Sequence, residues 1–160
     1  MSDILSKIED GMYDLISGIT IGDGYNFDWG TVNEPDTAKQ TFPSAEIVLE
    51  SENNLDETGG VWSGAYEQEA IFVIRVRTEL SNEVDTPAYT INIELNKALE
   101  DLKKLFGINY SVSDSCDTIM YRGMIRTVDR SNDILRPAYM DTRWRVAYTQ
   151  DRTNPAIIDE

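Results

Sequence analysis

The feature that most constrains the fold is a long run of alternating residues that reaches from Tyr66 to Glu79. Side chains alternate between the two faces of a β-strand, so every second residue of the run shares a face. One set is apolar or small: Ala70, Phe72, Ile74, Val76 and Thr78. The other set mixes apolar residues with charges: Ile71, Val73, Arg75, Arg77 and Glu79. The run predicts a strand much longer than the usual length of about 5–6 residues, buried on both faces at its middle and solvated at its ends.

Two amphipathic helices are predicted, one on either side of this strand. Residues 3–17 carry apolar side chains at helical spacing, and Ser2 or Asp3 can cap the start of that helix. The second helix is predicted to begin at Thr86-Pro87, which supply an N-cap and a first-turn proline, and to end at Gly107. Its apolar stripe is the strongest helical signal in the chain.

The remaining periodic segments predict four more strands: Tyr25–Gly30, Ala45–Glu50, Thr118–Val128 and Tyr139–Thr149. The acidic, glycine-terminated stretch 51–60 predicts a mobile loop. Helices interspersed with meander-like strands predict an α+β fold, with a mostly antiparallel sheet of about five strands and two main helices packed on one face. We expect a single domain over residues 1–150 and a flexible C-terminal tail over residues 151–160.

Charge and residue usage exclude several classes of function. The 160 residues include 29 acidic and 14 basic ones, and a net charge of −15 argues against nucleic-acid binding. The chain has no histidine, which removes imidazole bases and most zinc sites. Its single cysteine, Cys116, excludes an intramolecular disulfide and is interpreted as a spectator thiol. We find neither a membrane-spanning segment nor a signal peptide in the sequence, so we expect the chain to fold in cytoplasm.

No recognisable catalytic or metal motif emerges from residue spacing. Asp23, Asp28, Glu34 and Asp36 lack the spacing of a calcium loop and predict a solvated acidic surface. Gly22-Asp23-Gly24 has no P-loop lysine and predicts a turn. We therefore predict no catalytic residue, no metal and no cofactor, although two buried carboxylates that meet in the fold would leave a hydrolase open.

Charge placement points to candidate interface residues. Residues 1–60 carry a net charge of −11, whereas residues 116–160 are neutral and all seven of their basic residues are arginine. If the last two strands are neighbours, four of these arginines are predicted on one face, away from Trp144 and Ile125: Arg122, Arg126, Arg143 and Arg145. One interpretation is a solvated face neutralised by local carboxylates. The other is an interface with the acidic third of a second copy, which Arg143→Glu with Arg145→Glu would break without unfolding the subunit.

Three further residues are candidates for the same interface. Trp62 follows Gly59-Gly60 and is either an interface anchor or the first core residue of the next strand. Arg75 and Arg77 lie on the polar face of the long strand, which would project as a hairpin toward a neighbour.

The order of these segments resembles the tail terminator (tail completion) proteins of long-tailed, lambda-like bacteriophages. Six segments carry the resemblance: MSDILSKIEDGMYDLI, FDWGTVNEPD, FPSAEIVLE, AIFVIRVRTEL, NIELNKALEDLKKLFG and TRWRVAYTQD. The likeness is one of pattern and segment order over most of the chain. The family has no short diagnostic motif and no catalytic residues to transfer.

The resemblance implies a structural virion protein of the tail or neck, assembled in the host cytoplasm. Such subunits form a hexameric ring on the head-proximal end of the tail tube, stop its polymerisation and present a surface for head attachment. The implied partners are further copies of the chain, the tail tube protein and a head-completion or connector protein, with DNA passing through the lumen without specific binding and no membrane contact.

Three alternatives remain open at this point. The nearest is a head-completion or neck adaptor protein of the same structural class. The second is a monomeric α+β ligand-binding module or a small hydrolase, which a deep pocket with two close carboxylates would favour. The third is a part of a secretion system or tailocin particle built on the same architecture.

Overall fold

The computed structural model describes residues 3–54, 65–79, 87–127 and 138–151. Two helices and five strands follow one another along the chain: α1 (Ile4–Ser17), β1 (Thr31–Val32), β2 (Ser44–Asn54), β3 (Ala65–Arg77), α2 (Ala88–Ile108), β4 (Thr118–Thr127) and β5 (Tyr139–Asp151). Short 3₁₀ helices occupy Ile21–Asp23 and Thr37–Lys39. No helix in these four ranges is both long enough and apolar enough to cross a membrane.

The five strands form one sheet in the order β1-β2-β3-β5-β4. The short strand β1 runs parallel to β2, and every other neighbouring pair is antiparallel. The predicted α+β class with a mostly antiparallel five-stranded sheet is therefore confirmed. Asp151 is the last residue of β5, and residues 152–160 of the predicted tail lie outside the described residues.

Helix α1 forms as its sequence predicts. The Asp3 carboxylate accepts a hydrogen bond from the Ser6 N–H at 2.8 Å, and this bond satisfies one of the free donors of the first turn and lowers the pKa of Asp3. Four apolar side chains at helical spacing are buried against the sheet: Ile4, Ile8, Met12 and Ile16.

Helix α2 follows its predicted stripe but not its predicted ends. It begins at Ala88, with Pro87 extended at the N-cap position, while the predicted cap Thr86 lies outside the described residues. The helix continues through Gly107 to Ile108. Gly107 does not adopt the left-handed backbone conformation with which a glycine commonly ends a helix. Ile91, Leu95 and Leu102 on its apolar stripe are fully buried.

The core lies between the two helices and one face of the sheet. In β3 the residues Phe72, Ile74 and Val76 are buried, and Trp144 of β5 lies directly opposite Phe72. The same alternation buries Met140, Thr142, Val146 and Tyr148 of β5. We call this the helix face of the sheet, and the opposite face, which carries Arg75 and Arg143, the open face.

The strand predicted at Tyr25–Gly30 is wrong. Two of its backbone donors are used by a side chain instead of a neighbouring strand: the Asn26 and Phe27 N–H groups donate to the Asp101 carboxylate of α2 at 2.7 and 3.1 Å. Gly30 then passes so close to Thr41 that a Cβ atom would lie 2.6 Å from the Thr41 carbonyl oxygen. Strand pairing begins only after this contact, at Thr31.

The mobile loop predicted at residues 51–60 is wrong in its first part. Strand β2 continues to Asn54, because Glu50 forms a bulge after which Ser51 to Asn54 pair with Ile71 to Gln68 of β3. Residues 55–60 lie outside the described ranges, as does Trp62.

Candidate interaction surface

The open face carries three arginines that each pair with a carboxylate of the same chain. Arg75 makes a bidentate contact with Asp141, with Nε–Oδ1 at 2.8 Å and Nη2–Oδ2 at 3.1 Å. Arg143 contacts Glu50 at 2.8 Å, and Arg145 contacts Glu69 at 2.5 Å. The pairs Arg75–Asp141 and Arg145–Glu69 each join the neighbouring strands β3 and β5. The pair Arg143–Glu50 reaches from β5 across β3 to β2, so the charges also tie the sheet together.

Two of these pairs shift the pKa of a partner. The hydrogen bonds that Arg75 donates to Asp141 raise the pKa of Arg75, whose guanidinium also lies 4.0 Å from the centre of the Tyr139 ring. The hydrogen bond from Arg145 lowers the pKa of Glu69, and the nearby charge of Arg122 acts in the same direction. These arginines are therefore neutralised locally.

Because these arginines are neutralised within the subunit, reversing the charge of both Arg143 and Arg145 would not act on assembly alone. Arg143→Glu and Arg145→Glu would each place a second carboxylate beside the Glu50 or Glu69 side chain of the same subunit. Like charges at that distance destabilise a sheet. The pair of substitutions would therefore disturb the subunit itself and is not a clean probe of assembly.

The prediction that Arg126 shares a face with Arg143 and Arg145 is wrong, and so is the placement of Ile125. Tyr121 lies opposite Trp144, yet Gly123 lies opposite Arg143, so Arg122 is an extra residue in β4. Gly123 has a φ of +117°, which a residue with a Cβ atom rarely adopts. The bulge reverses the alternation after Arg122, which moves Arg126 to the helix face and Ile125 to the open face.

Arg126 lies in neutral polar surroundings. Its Nη1 donates to the Asn92 side chain at 3.2 Å, and its Nη2 donates to the Asn96 side chain, both on α2. Its Nε is buried and has no hydrogen-bond partner within the described part of the chain. Burial lowers the pKa of this guanidinium, and no carboxylate in the described ranges forms an ion pair with it. Arg77 also has a buried Nε without a partner there.

Strand β4 ends the sheet on one side and exposes large apolar side chains. The Ile119 N–H on the outer side of β4 donates to the Tyr110 carbonyl at 2.9 Å. Beyond that bond, from Met120 to Thr127, no described strand pairs with the outer side of β4. We call this segment the β4 edge. Met120 is 50 % exposed, Met124 38 % and Ile125 60 %.

The other side of the sheet also has a free strand segment. Strand β1 covers β2 only at Ser44 and Ala45, and the Asn33 side chain accepts from the Ile47 N–H at 2.7 Å. Beyond that point no described strand pairs with the outer side of residues 48–54. We call this segment the β2 edge. Its Val48 and Leu49 side chains are 46 % and 40 % exposed.

The sequence prediction missed both edges, because strand order cannot be deduced from periodicity. One signal was available. In a chain with 29 acidic residues, the ten residues of β4 contain none, although they contain two arginines and three large apolar residues that prove to be exposed.

A cavity of about 510 Å³ opens beside the start of the β2 edge. Three carboxylates line it, from Glu9 of α1, Glu34 and Glu46, together with Ile47 and Arg77. Asn33, Pro35 and Gln40 complete the lining, in which three carboxylates face one basic residue, Arg77. A second cavity of about 490 Å³ lies between α1 and the turn at residues 112–115.

The described residues include the chain's one thiol, Cys116, which is buried. Burial raises the pKa of the Cys116 thiol to about 12, so this side chain stays protonated at neutral pH. No group of three or more potential metal ligands lies together in the described ranges.

No protein-family model matches this chain, and no curated protein sequence is significantly similar to it.

Proposed function

We propose that this chain is a structural virion subunit, similar to phage tail terminator proteins, that forms a ring on the head-proximal end of a tail tube. The observation that carries the proposal is a sheet whose described helices both pack on one face. The opposite face and the outer strand expose apolar side chains among ion pairs, as Val48, Met120 and Ile125 do. Exposed apolar residues rimmed by polar ones mark surfaces that bind other proteins.

The mechanism requires contact and no chemistry. A growing tube end exposes groups that the next tube ring would pair with. A terminator ring matches that end on one side and presents a different surface on the other, so that tube growth stops and a connector protein can bind. The net charge of −15 on each copy would repel DNA from the lumen, which lets the genome pass without sticking.

Electron microscopy in negative stain tests this proposal. Purified protein is imaged alone and after mixing with cognate tail tubes. We expect rings, and a plug of matching diameter at one end of each tube. A head-completion or neck adaptor protein would instead bind the portal or adaptor and leave tube ends bare. A protein that remains a monomer in both samples would contradict the proposal.

A second candidate function, a ligand-binding module or small hydrolase, is favoured by one observation. The cavity at Glu9, Glu34 and Glu46 brings carboxylates from three separate segments to one place. If this cavity binds a sugar, that ligand will raise the melting temperature of the native protein and not that of Glu46→Gln. A proposal of assembly alone predicts no such shift.

A further inference from the structure

The two free edges of the sheet carry opposite charges. The β4 edge has two arginines, Arg122 and Arg126, and no acidic residue. The β2 edge has two glutamates, Glu50 and Glu52, and no basic residue, and Glu46 adjoins its start. Glu50 already pairs with Arg143 of the same chain, whereas Glu52 forms no ion pair with a described residue. Both edges also expose apolar side chains. Two edges of one subunit are therefore complementary to each other and not to themselves.

The strand directions allow these edges to meet between copies. In the order β1-β2-β3-β5-β4, the pairs β2–β3, β3–β5 and β5–β4 are all antiparallel, so β4 runs opposite to β2. If a second copy is related to the first by rotation about an axis parallel to the strands, each of its strands keeps the direction of the same strand in the first copy. Such a copy would place its β2 edge antiparallel to the first copy's β4 edge. A contact between two different surfaces is heterologous and closes into a ring when the rotation permits.

The two faces of the sheet restrict the register of this pairing. Side chains that lie opposite each other must share a face, and Ile125 and Val48 both lie on the open face. The register that pairs them also pairs Met124 with Leu49, both on the helix face and both partly exposed. Apolar side chains thus meet apolar side chains on both faces.

The same register accounts for the two arginines. Arg122 would lie opposite Ser51, between Glu50 and Glu52. Arg126 would lie opposite Ile47, which lines the acidic cavity with Glu9 and Glu34. Arg126 has only neutral partners within its own described chain, so this cavity would supply the carboxylates that it lacks.

We infer that the β4 edge of one copy pairs antiparallel with the β2 edge of the next, with Ile125 opposite Val48, so that one sheet continues from subunit to subunit. This inference rests on the proposed function in one respect, since it assumes that identical copies assemble. Backbone hydrogen bonds would supply affinity, and the apolar and charged pairs would fix the register.

Disulfide trapping tests the register. Within one chain Val48 and Ile125 lie on strands separated by β3 and β5, about 14 Å apart at about 4.8 Å per strand, which is beyond the reach of a disulfide. Val48→Cys with Ile125→Cys can therefore link only different copies, and we expect a ladder of covalent oligomers after mild oxidation. Each single variant can give dimers at most. Leu49→Cys with Ile125→Cys places the thiols on opposite faces and should give no ladder.

Charge insertion tests the contact itself. Ile125→Lys adds a charge to an exposed position of the β4 edge, and we expect folded monomers by circular dichroism and light scattering. Ile21→Lys is the matched control, since Ile21 is similarly exposed, at 57 %, on the first 3₁₀ helix. The control should assemble like the unmodified protein.

The outcomes separate this inference from the proposed function. Rings that cap tubes, without the disulfide ladder and with unchanged assembly of Ile125→Lys, would overturn the inference and leave the function standing. A ladder from a protein that never binds tube ends would support the inference and contradict the function. A disulfide within one chain between Ile125→Cys and Ala156→Cys would assign the β4 edge to the chain's own C-terminal segment and overturn the inference.

Discussion

The indole Nε1 of Trp29 donates a hydrogen bond to the Asp101 carboxylate at 3.1 Å, across 72 positions of sequence. Asp101 is only 2 % exposed, and it also accepts the backbone N–H groups of Asn26 and Phe27. One carboxylate on α2 thus holds residues 26–29 of the connection between α1 and β1. A buried carboxylate is tolerated here because three donors replace its hydration.

Asp101→Asn should destabilise the protein by about 2–3 kcal/mol. The substitution replaces one accepting carboxylate oxygen with an amide NH₂ group, which cannot accept a hydrogen bond from the N–H groups that face it. Denaturant unfolding of the purified variant measures this change. Glu100→Gln is the matched control on the next residue. Its side chain accepts only an exposed bond from Asn26 at 3.2 Å, so a change below about 0.5 kcal/mol is expected. Equal effects of the two variants would contradict the assigned role of Asp101.

Gly123→Ala and Gly107→Ala should have opposite effects on stability. Gly123 has a φ of +117° in the β4 bulge, and alanine there should cost about 1–3 kcal/mol. Gly107 lies inside α2 with open space around its Cβ position, and alanine there should stabilise the fold by about 0.5–1 kcal/mol. Thermal unfolding compares the two. A neutral Gly123→Ala would mean that the bulge does not form as described.

Glu69→Gln should reduce stability by about 1 kcal/mol at pH 7 and have no effect in strong acid. Arg145 lowers the folded-state pKa of Glu69 below its ordinary value of 4.5. The ionised group therefore stabilises the fold above pH 4.5, and that contribution is lost as the pH falls through the folded-state pKa. Unfolding measured from pH 7 down into strong acid, below the folded-state pKa of Glu69, tests this. Glu67→Gln, at an exposed position of the same strand, serves as the control.

Cys116 should resist thiol reagents in the folded protein. Its thiol is buried, with a pKa of about 12, so very little thiolate exists at pH 8. Iodoacetamide should modify it only after denaturation, as mass spectrometry would detect. Rapid labelling of the native protein would show that the region around Cys116 opens, and would require its replacement before disulfide trapping.

Sequence patterns predicted most of the fold because burial imposes a strict period on each element. Alternation located β3 and β5 and assigned Phe72 and Trp144 to the core face, and the apolar stripe located both helices. The same logic failed at Tyr25–Gly30. The Phe27 backbone N–H and the Trp29 indole there donate to Asp101, and a contact so distant in sequence leaves no periodic signal.

The candidate surface was less predictable, because one extra residue in a strand changes the face or the pairing of every residue after it. The extra residue Arg122 reversed the alternation of β4 and moved both Arg126 and Ile125 to the opposite face from the one predicted. The extra residue Glu50 likewise extended β2 beyond its predicted end. Bulges depend on pairing with a neighbouring strand, and the identity of that neighbour is set by the tertiary fold.

Tube elongation measures the central claim most directly. Cognate tail tubes are incubated with this protein and then supplied with fresh tube subunits, and tube lengths are compared by electron microscopy with those of untreated tubes. We expect treated tubes to keep their starting length with a ring at one end, while untreated tubes lengthen. Treated tubes that lengthen as fast as the untreated ones, with bare ends, would contradict the account.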